Sequence, residues 1–258
     1  MAYQMTFQRY ELKYMLTRQE KEEILRSMAG NMRLDQYGRT VIRNIYYDTD
    51  TYRLIRHSLE KPAYKEKLRV RSYRMVHPED PVFVELKKKY DSVVYKRRLV
   101  LPEGEVMDSF LHEKPLPVHS QIGDEIGYFR EYYKHLRPSV FLSYEREAYY
   151  ALDGSDFRVT FDENILYREQ DVSLESEIYG TPLLEEGQTL MELKTSGGIP
   201  LWMSHALTKN HIYRTSYSKY GAAYEKMMAE KRGDSGRQPG RQGTASGPVR
   251  AGMQKICR

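Results

Sequence analysis

The sequence predicts an α+β fold built on antiparallel strands with helices spaced among them. Three observations lead there. At least six segments alternate residue by residue between an apolar or aromatic face and a face of Lys, Arg and Glu, the period of a strand with one buried side. Helical patterns fall between these segments, where they can cover the apolar faces. The 258-residue chain, 40% hydrophobic and 30% charged, is long enough for a substantial core. Its single cysteine, Cys257, excludes disulfides and thiolate metal sites.

Phe7 to Leu16 places Arg9, Glu11 and Lys13 on one face and Tyr10, Leu12 and Tyr14 on the other, and reads as the first strand. Thr17 and Glu20 make a capping box for a helix to about Ala29, which Gly30 ends. Arg39 to Tyr47 is β-branched and aromatic enough for a strand. Asp48-Thr49-Asp50 then caps a short helix that Pro62 terminates. Another strand starts at Tyr64, and His77 to Pro81 turns the chain into a strand pair, Val82 to Tyr90 and Ser92 to Leu101, joined at Asp91-Ser92. Pro102 to about Arg137 mixes proline-rich connections with a helix over Ile122 to His135.

Three strands follow, Ser139 to Tyr150, Phe157 to Tyr167 and Thr189 to Thr195. Their charged faces carry Tyr144 and Arg146; Asp156, Arg158 and Asp162; and Glu192 and Lys194. Pro200 opens a short helical stretch, and Thr215 to about Lys231 is a C-terminal helix. From Gly233 the composition predicts a disordered basic tail with Arg237, Arg241, Arg250, Lys255 and Arg258, leaving 1–232 as the folded domain.

The strand Tyr64 to Met75 sets Lys65, Lys67, Arg69 and Arg71 on one face, where they repel unless anions or carboxylates answer them. The strand pair adds Glu85 and Lys87, then Lys96 and Arg98. The net charge is only +5, so anion binding has to come from such clustering. Two architectures fit. A sandwich leaves the charged faces to water, whereas a closed antiparallel β-barrel points them into a tunnel under covering helices. A tunnel of Lys and Arg needs anions, and a chain of phosphates matches it. The interleaved carboxylates Glu11, Glu85 and Glu192 suit either a Mg²⁺ or Mn²⁺ bridging phosphate oxygens or plain neutralisation of neighbouring cations. The seven histidines form no HExxH, no apolar run approaches the roughly 20 residues of a membrane span, and the N-terminus lacks a signal-peptide core. A cytoplasmic protein is expected.

In order along the chain, RYELKY, KLRVR, VELKKK with VVYKRR, SYER, FRVTFD, MELK and SYSKY resemble the polyphosphate polymerase domain of the vacuolar transporter chaperone complex, a branch of the triphosphate tunnel metalloenzymes. The resemblance implies a closed antiparallel β-barrel (tunnel) with covering helices and a C-terminal helix. It also implies a divalent metal, Mn²⁺ or Mg²⁺, and growth of polyphosphate from the γ-phosphate of ATP. Carried onto this chain, it makes Arg69, Arg71, Lys87, Lys96, Arg146, Arg158 and Lys219 the catalytic candidates. Lys13, Lys67, Tyr144, Lys194 and Ser218 become substrate-binding candidates, and Glu192, then Glu11 and Glu85, metal ligands. Ser216 and Tyr217 stand where relatives carry a further basic residue. Glu11 and Lys13 form ExK, shorter than the ExExK of the hydrolytic and cyclase branches. The expected partners are ATP and triphosphate or polyphosphate, with no specific nucleic acid, and any membrane association would come through partners. Hydrolysis of the same substrates, or non-catalytic binding of polyphosphate or RNA, are the alternative readings.

Overall fold

The computed structural model describes residues 6–91 and 93–235. In chain order the elements are β1 (Thr6–Leu16), α1 (Arg18–Met28), β2 (Met32–Asp48), α2 (Arg53–Leu59), β3 (Tyr64–Ser72), β4 (Pro81–Tyr90) and β5 (Val93–Pro102). Then come α3 (Glu103–Leu111), α4 (Gln121–Tyr133), β6 (Arg137–Ala151), β7 (Arg158–Arg168), β8 (Thr181–Pro182), β9 (Thr189–Thr195), α5 (Leu201–Lys209), β10 (Arg214–Thr215) and α6 (Lys219–Ser235). The basic tail residues named above lie outside the described residues.

Local chemistry explains the boundaries. Thr17 Oγ1 accepts from Glu20 N while the Glu20 carboxylate takes Thr17 N, the capping box expected before α1. The Asp48 carboxylate accepts from the backbone N–H groups of Thr49, Leu54 and Ile55, so a residue at the end of β2 satisfies the open amides of α2. In the β4–β5 hairpin, Tyr90 lies opposite Val93, which leaves a two-residue turn whose first member, Asp91, has φ +41°.

Every pairing in the sheet is antiparallel. Neighbours run β1–β5–β4–β3–β2–β6–β7, and β9 pairs with both β7 and β1, so the pairings lead back to β1. The result is an antiparallel, sheet-rich α+β fold.

Two apolar clusters cover one side of this sheet. Leu68, Val70, Val84 and Leu86 pack beneath Val106 and Phe110 of α3 and Ile126 and Phe129 of α4. Val159, Phe161, Met191 and Leu193 pack against α1 and α5, and Trp202 meets Phe157 edge-on. A third cluster departs from the expectation that apolar faces all lie under outer helices. Ile42, Leu142, Tyr144 and Leu190 share strand faces with Asn44, Arg146 and Glu192, and there Tyr220, Ala223 and Met227 of α6 cover them. The C-terminal helix thus occupies part of the face that carries the charges.

Candidate functional site

On the opposite face from the first two clusters, the charged side chains of β1, β3, β4, β5, β6, β7 and β9 meet, joined by Ser218 and Lys219 at the start of α6. Strand alternation produces this. Lys67, Arg69 and Arg71 alternate with the buried Leu68 and Val70, and in register they oppose Lys87, Glu85 and Phe83. Lys96 and Arg98 of β5 oppose Lys87 and Glu85 in turn.

Three carboxylate hubs organise the cations. Glu85 is fully buried; its Oε2 accepts from Arg69 Nε at 2.8 Å, its Oε1 from Arg98 Nη2 at 2.6 Å, and Lys96 Nζ lies 3.5 Å from Oε1. Burial pushes the Glu85 carboxyl up, but Arg71, Arg69, Lys96 and Arg98 more than reverse this and hold it well below the usual range. Asp162, also fully buried, takes Arg146 Nη2 at 2.6 Å and the Lys219 ammonium. Glu192 lies 3.1 Å from Lys194 Nζ, 3.4 Å from both Lys13 and Lys219 Nζ, and 3.5 Å from Arg146 Nη2. Apart from these hubs, Glu11 pairs with Lys87 at 2.7 Å. Burial pushes its carboxyl up, but Lys87 and Lys194 together more than reverse this and lower it to about 2.

The cations exceed these anions. Lys13, Lys67, Arg69, Arg71, Lys87, Lys96, Arg98, Arg146, Lys194 and Lys219 share the face with Glu11, Glu85, Asp162 and Glu192. Among the described residues Lys67 has no carboxylate partner; its ammonium donates to Ser218 Oγ at 3.0 Å and lies 5.9 Å from the Tyr220 ring centre. Burial, with Lys13, Lys87, Lys65 and Arg69 close by, drives the Lys67 pKa well below the ordinary ammonium value. Such a group is stabilised by an anion brought to it.

Aromatic and amide groups orient the guanidiniums. Arg69 Nη1 donates to Tyr46 Oη at 2.9 Å, and Arg71 donates to Asn44 Oδ1 at 2.9 Å and Tyr144 Oη at 3.2 Å. The Tyr144 ring lies 5.1 Å from Arg146 and 4.6 Å from Lys219. Despite burial, Arg71, Arg146 and Lys219 bring its phenol down to about 8.

The structure therefore gathers Lys13, Lys67, Arg69, Arg71, Lys87, Lys96, Tyr144, Arg146, Lys194, Ser218 and Lys219. Two of the expected site residues stand apart. Arg158 has the face of Thr160 and Asp162 but sits at the very start of β7, exposed and outside the ion-pair network. Glu85 does not fit a metal, because Arg69, Arg98 and Lys96 already occupy its buried oxygens. Among the described residues no three His, Cys, Asp or Glu side chains gather as a metal cage, so Glu11, Glu85 and Glu192 are not a common ligand set. Glu11, half-buried and paired among the described residues with Lys87 alone, and Glu192, buried but with cation contacts of 3.1–3.5 Å that are longer than the 2.6 and 2.8 Å bonds on Glu85, fit a metal held mainly by phosphate oxygens, since Mg²⁺ is often bound by one or two carboxylates plus its phosphates.

Sequence reasoning did not assign Asp162, Arg98, Asn44 or Tyr46 to the site. The first two carried a signal, the alternation with Arg158 and with Lys96. Asn44 and Tyr46 stand in a strand with no charged alternation to mark its inner face.

The charged cluster thus lies on one face of an antiparallel sheet whose other face carries helices. The VTC domain family matches residues 8–228, and the chain belongs to that family. No curated protein sequence matches the chain. Among solved structures, a candidate adenylate cyclase from Bacillus halodurans is similar at TM-score 0.52 and 13% identity, covering 83% of this chain and 96% of that one. A candidate adenylyl cyclase from Hippeastrum, described as having a dominant triphosphatase activity, is similar at TM-score 0.52 and 12% identity, covering 85% and 95%. At such identities the likeness concerns the fold. No helix among the described residues is long and apolar enough to cross a membrane.

Proposed function

We propose that this protein is a metal-dependent polyphosphate polymerase that transfers the γ-phosphate of ATP to a growing polyphosphate chain inside a closed tunnel. The observation that carries the reading is the excess of cations over carboxylates on one face, where Lys67 has no carboxylate partner among the described residues. The circuit of strand pairings supports a closed wall around them, and membership of the VTC family supports the substrate class.

Phosphoryl transfer asks mainly for positioning and charge stabilisation. Arg69 and Arg71, held by Tyr46, Asn44 and Tyr144, present forked donors to phosphate oxygens, and Arg146, anchored by Asp162, does so from the other wall. Lys67, Lys87, Lys96 and Lys219 offset charge at the transferred group, while Lys13 and Lys194 hold adjacent phosphates. A divalent metal, Mn²⁺ or Mg²⁺, held by Glu192 with Glu11 and by phosphate oxygens, would neutralise oxygen charge when bound. A terminal phosphate oxygen of the acceptor chain attacks the γ-phosphorus in line. The bond to the β,γ-bridging oxygen breaks and ADP leaves with that electron pair. No side-chain nucleophile takes part.

Hydrolysis is the second reading, favoured by the triphosphatase activity described for the Hippeastrum protein of similar fold. Against it, Arg9 stands where the longer ExExK motif has its first Glu. Incubation with ATP and Mn²⁺ or Mg²⁺, followed by gel analysis and nucleotide chromatography, decides. Polyphosphate with ADP is expected. Free phosphate without polymer would establish the hydrolase, and neither product under several metals and a primer would overturn both.

A further inference from the structure

A groove of about 620 Å³ lies outside the charged interior, on the face of β3 and β4 between α2 and α4. Its helical walls differ. From α4, Tyr128 is 70% exposed and Tyr132 54% exposed, their rings stacked 6.3 Å apart. From α2 come Arg53, Arg56 and His57, one face of the helix by their spacing.

The formal charges lining this groove balance, Arg53, Arg56 and Lys88 against Glu60, Glu66 and Glu125, but Arg53 and Arg56 are not paired with these carboxylates. The Glu66 carboxylate on its floor already accepts the hydroxyls of Tyr64 at 2.6 Å and Tyr133 at 2.8 Å. Glu125 is held by Arg97 at 3.1 Å and Lys88 at 3.7 Å, and Glu60 lies 3.6 Å from His57. Arg53 and Arg56 pair with no carboxylate among the described residues. Arg53 stands over Tyr132 and Tyr133, 5.6 and 5.2 Å from their ring centres, and Arg56 reaches the Thr51 carbonyl at 3.4 Å. The groove thus offers two guanidiniums without acidic partners beside two solvent-facing tyrosines, the residue types that dominate binding energy at protein interfaces.

We infer that this groove docks an acidic segment of a partner protein, with carboxylates on Arg53 and Arg56 and an apolar or aromatic side chain against Tyr128 and Tyr132. The openness of the tyrosine wall favours a protein segment over a small ligand, because a buried small-molecule site encloses most of its ligand. The chain's own residues beyond Ser235 carry Arg and Lys with no Glu or Asp, the wrong sign to meet Arg53 and Arg56.

The test pans a random dodecapeptide phage library against the purified full-length protein, then measures the enriched peptides by fluorescence anisotropy. The expected result is a consensus combining Asp or Glu with an aromatic or aliphatic residue. Its binding should weaken at least about tenfold in Arg53→Glu and in Tyr132→Ala, each of which retains wild-type affinity for tripolyphosphate as evidence of intact folding. Absence of any enriched acidic consensus overturns the inference. So do peptides that bind both variants unchanged, or AMP binding that is lost in these variants while acidic peptides fail to bind. None of these outcomes depends on what the interior catalyses.

Discussion

Glu85 shows what single residues do here. Its carboxylate is fully buried among Arg69, Arg71, Lys96 and Arg98, so it sets guanidinium positions on two strands. Glu85→Gln removes the charge and keeps the shape, and is expected to cost about 3–5 kcal/mol, the scale for breaking a buried pair from one side. Urea unfolding measures this; a loss below about 1 kcal/mol would show that water, not Glu85, neutralises the cations. Lys96 gives a pH signature. Burial, against the pull of Glu85, lowers its pKa from 10.5 to about 7. Between those values the unfolded chain holds the proton that the folded one has lost, so this group favours folding increasingly as pH rises through the window. A bound polyanion reverses the shift and draws the proton back. Tripolyphosphate binding at pH 8 should therefore take up protons, seen as a heat that differs between phosphate and Tris buffers; a buffer-independent heat would contradict it. At this scale the sequence was most informative, because strand alternation exposes which charges share a face. Alternation does not say that Arg158 falls at the exposed start of its strand, and carboxylate identity does not reveal how many cations surround Glu85.

Among the elements, α6 matters most. It supplies Ser218 and Lys219 to the interior, and a hydrogen-bond chain fixes its first turn. Tyr220 Oη donates to Asp48 Oδ2 at 2.9 Å, the same carboxylate that caps α2, while its ring stacks 4.8 Å from Tyr46, the partner of Arg69. Tyr220→Phe keeps the ring and removes the link. It is expected to weaken tripolyphosphate binding about tenfold in the wild type and little further in Lys219→Ala, the coupling of groups that act together. Equal losses in both backgrounds would make Tyr220 a purely structural residue. The Thr17 capping box located α1 closely, whereas Thr215, expected to open the C-terminal helix, lies in β10. The long strands were legible in the sequence, but the two-residue β8 and β10 were not. Helix α3 was not, because Pro102 and Gly104 read as loop although proline suits the position preceding a helix. Nor was the place of α6, since its residues are apolar enough to pack anywhere and only Asp48 and Tyr46, far away in sequence, direct it inward.

For the whole molecule, the strand pairings return to β1 through β9, and one face of the sheet carries more cations than carboxylates. Two clusters of apolar side chains outside that ring, and α6 over part of the inner face, hold the cations together against their repulsion. The alternating pattern left sandwich and barrel equally open, because both bury one face of every strand. The short pairing of β1 with β5 alongside its longer pairing with β9 is a long-range arrangement that no local signal encodes. The central claim is that this interior is strained in order to bind phosphate chains, and Lys67→Met tests it. Calorimetric titration with tripolyphosphate and urea unfolding are measured on both proteins. The variant is expected to bind at least about tenfold more weakly while being as stable as the wild type or more so, because a half-buried ammonium with no carboxylate partner among the described residues has been removed. Unchanged affinity, or a variant that unfolds more easily, would show that Lys67 belongs to the scaffold and that the cations do not form a binding site.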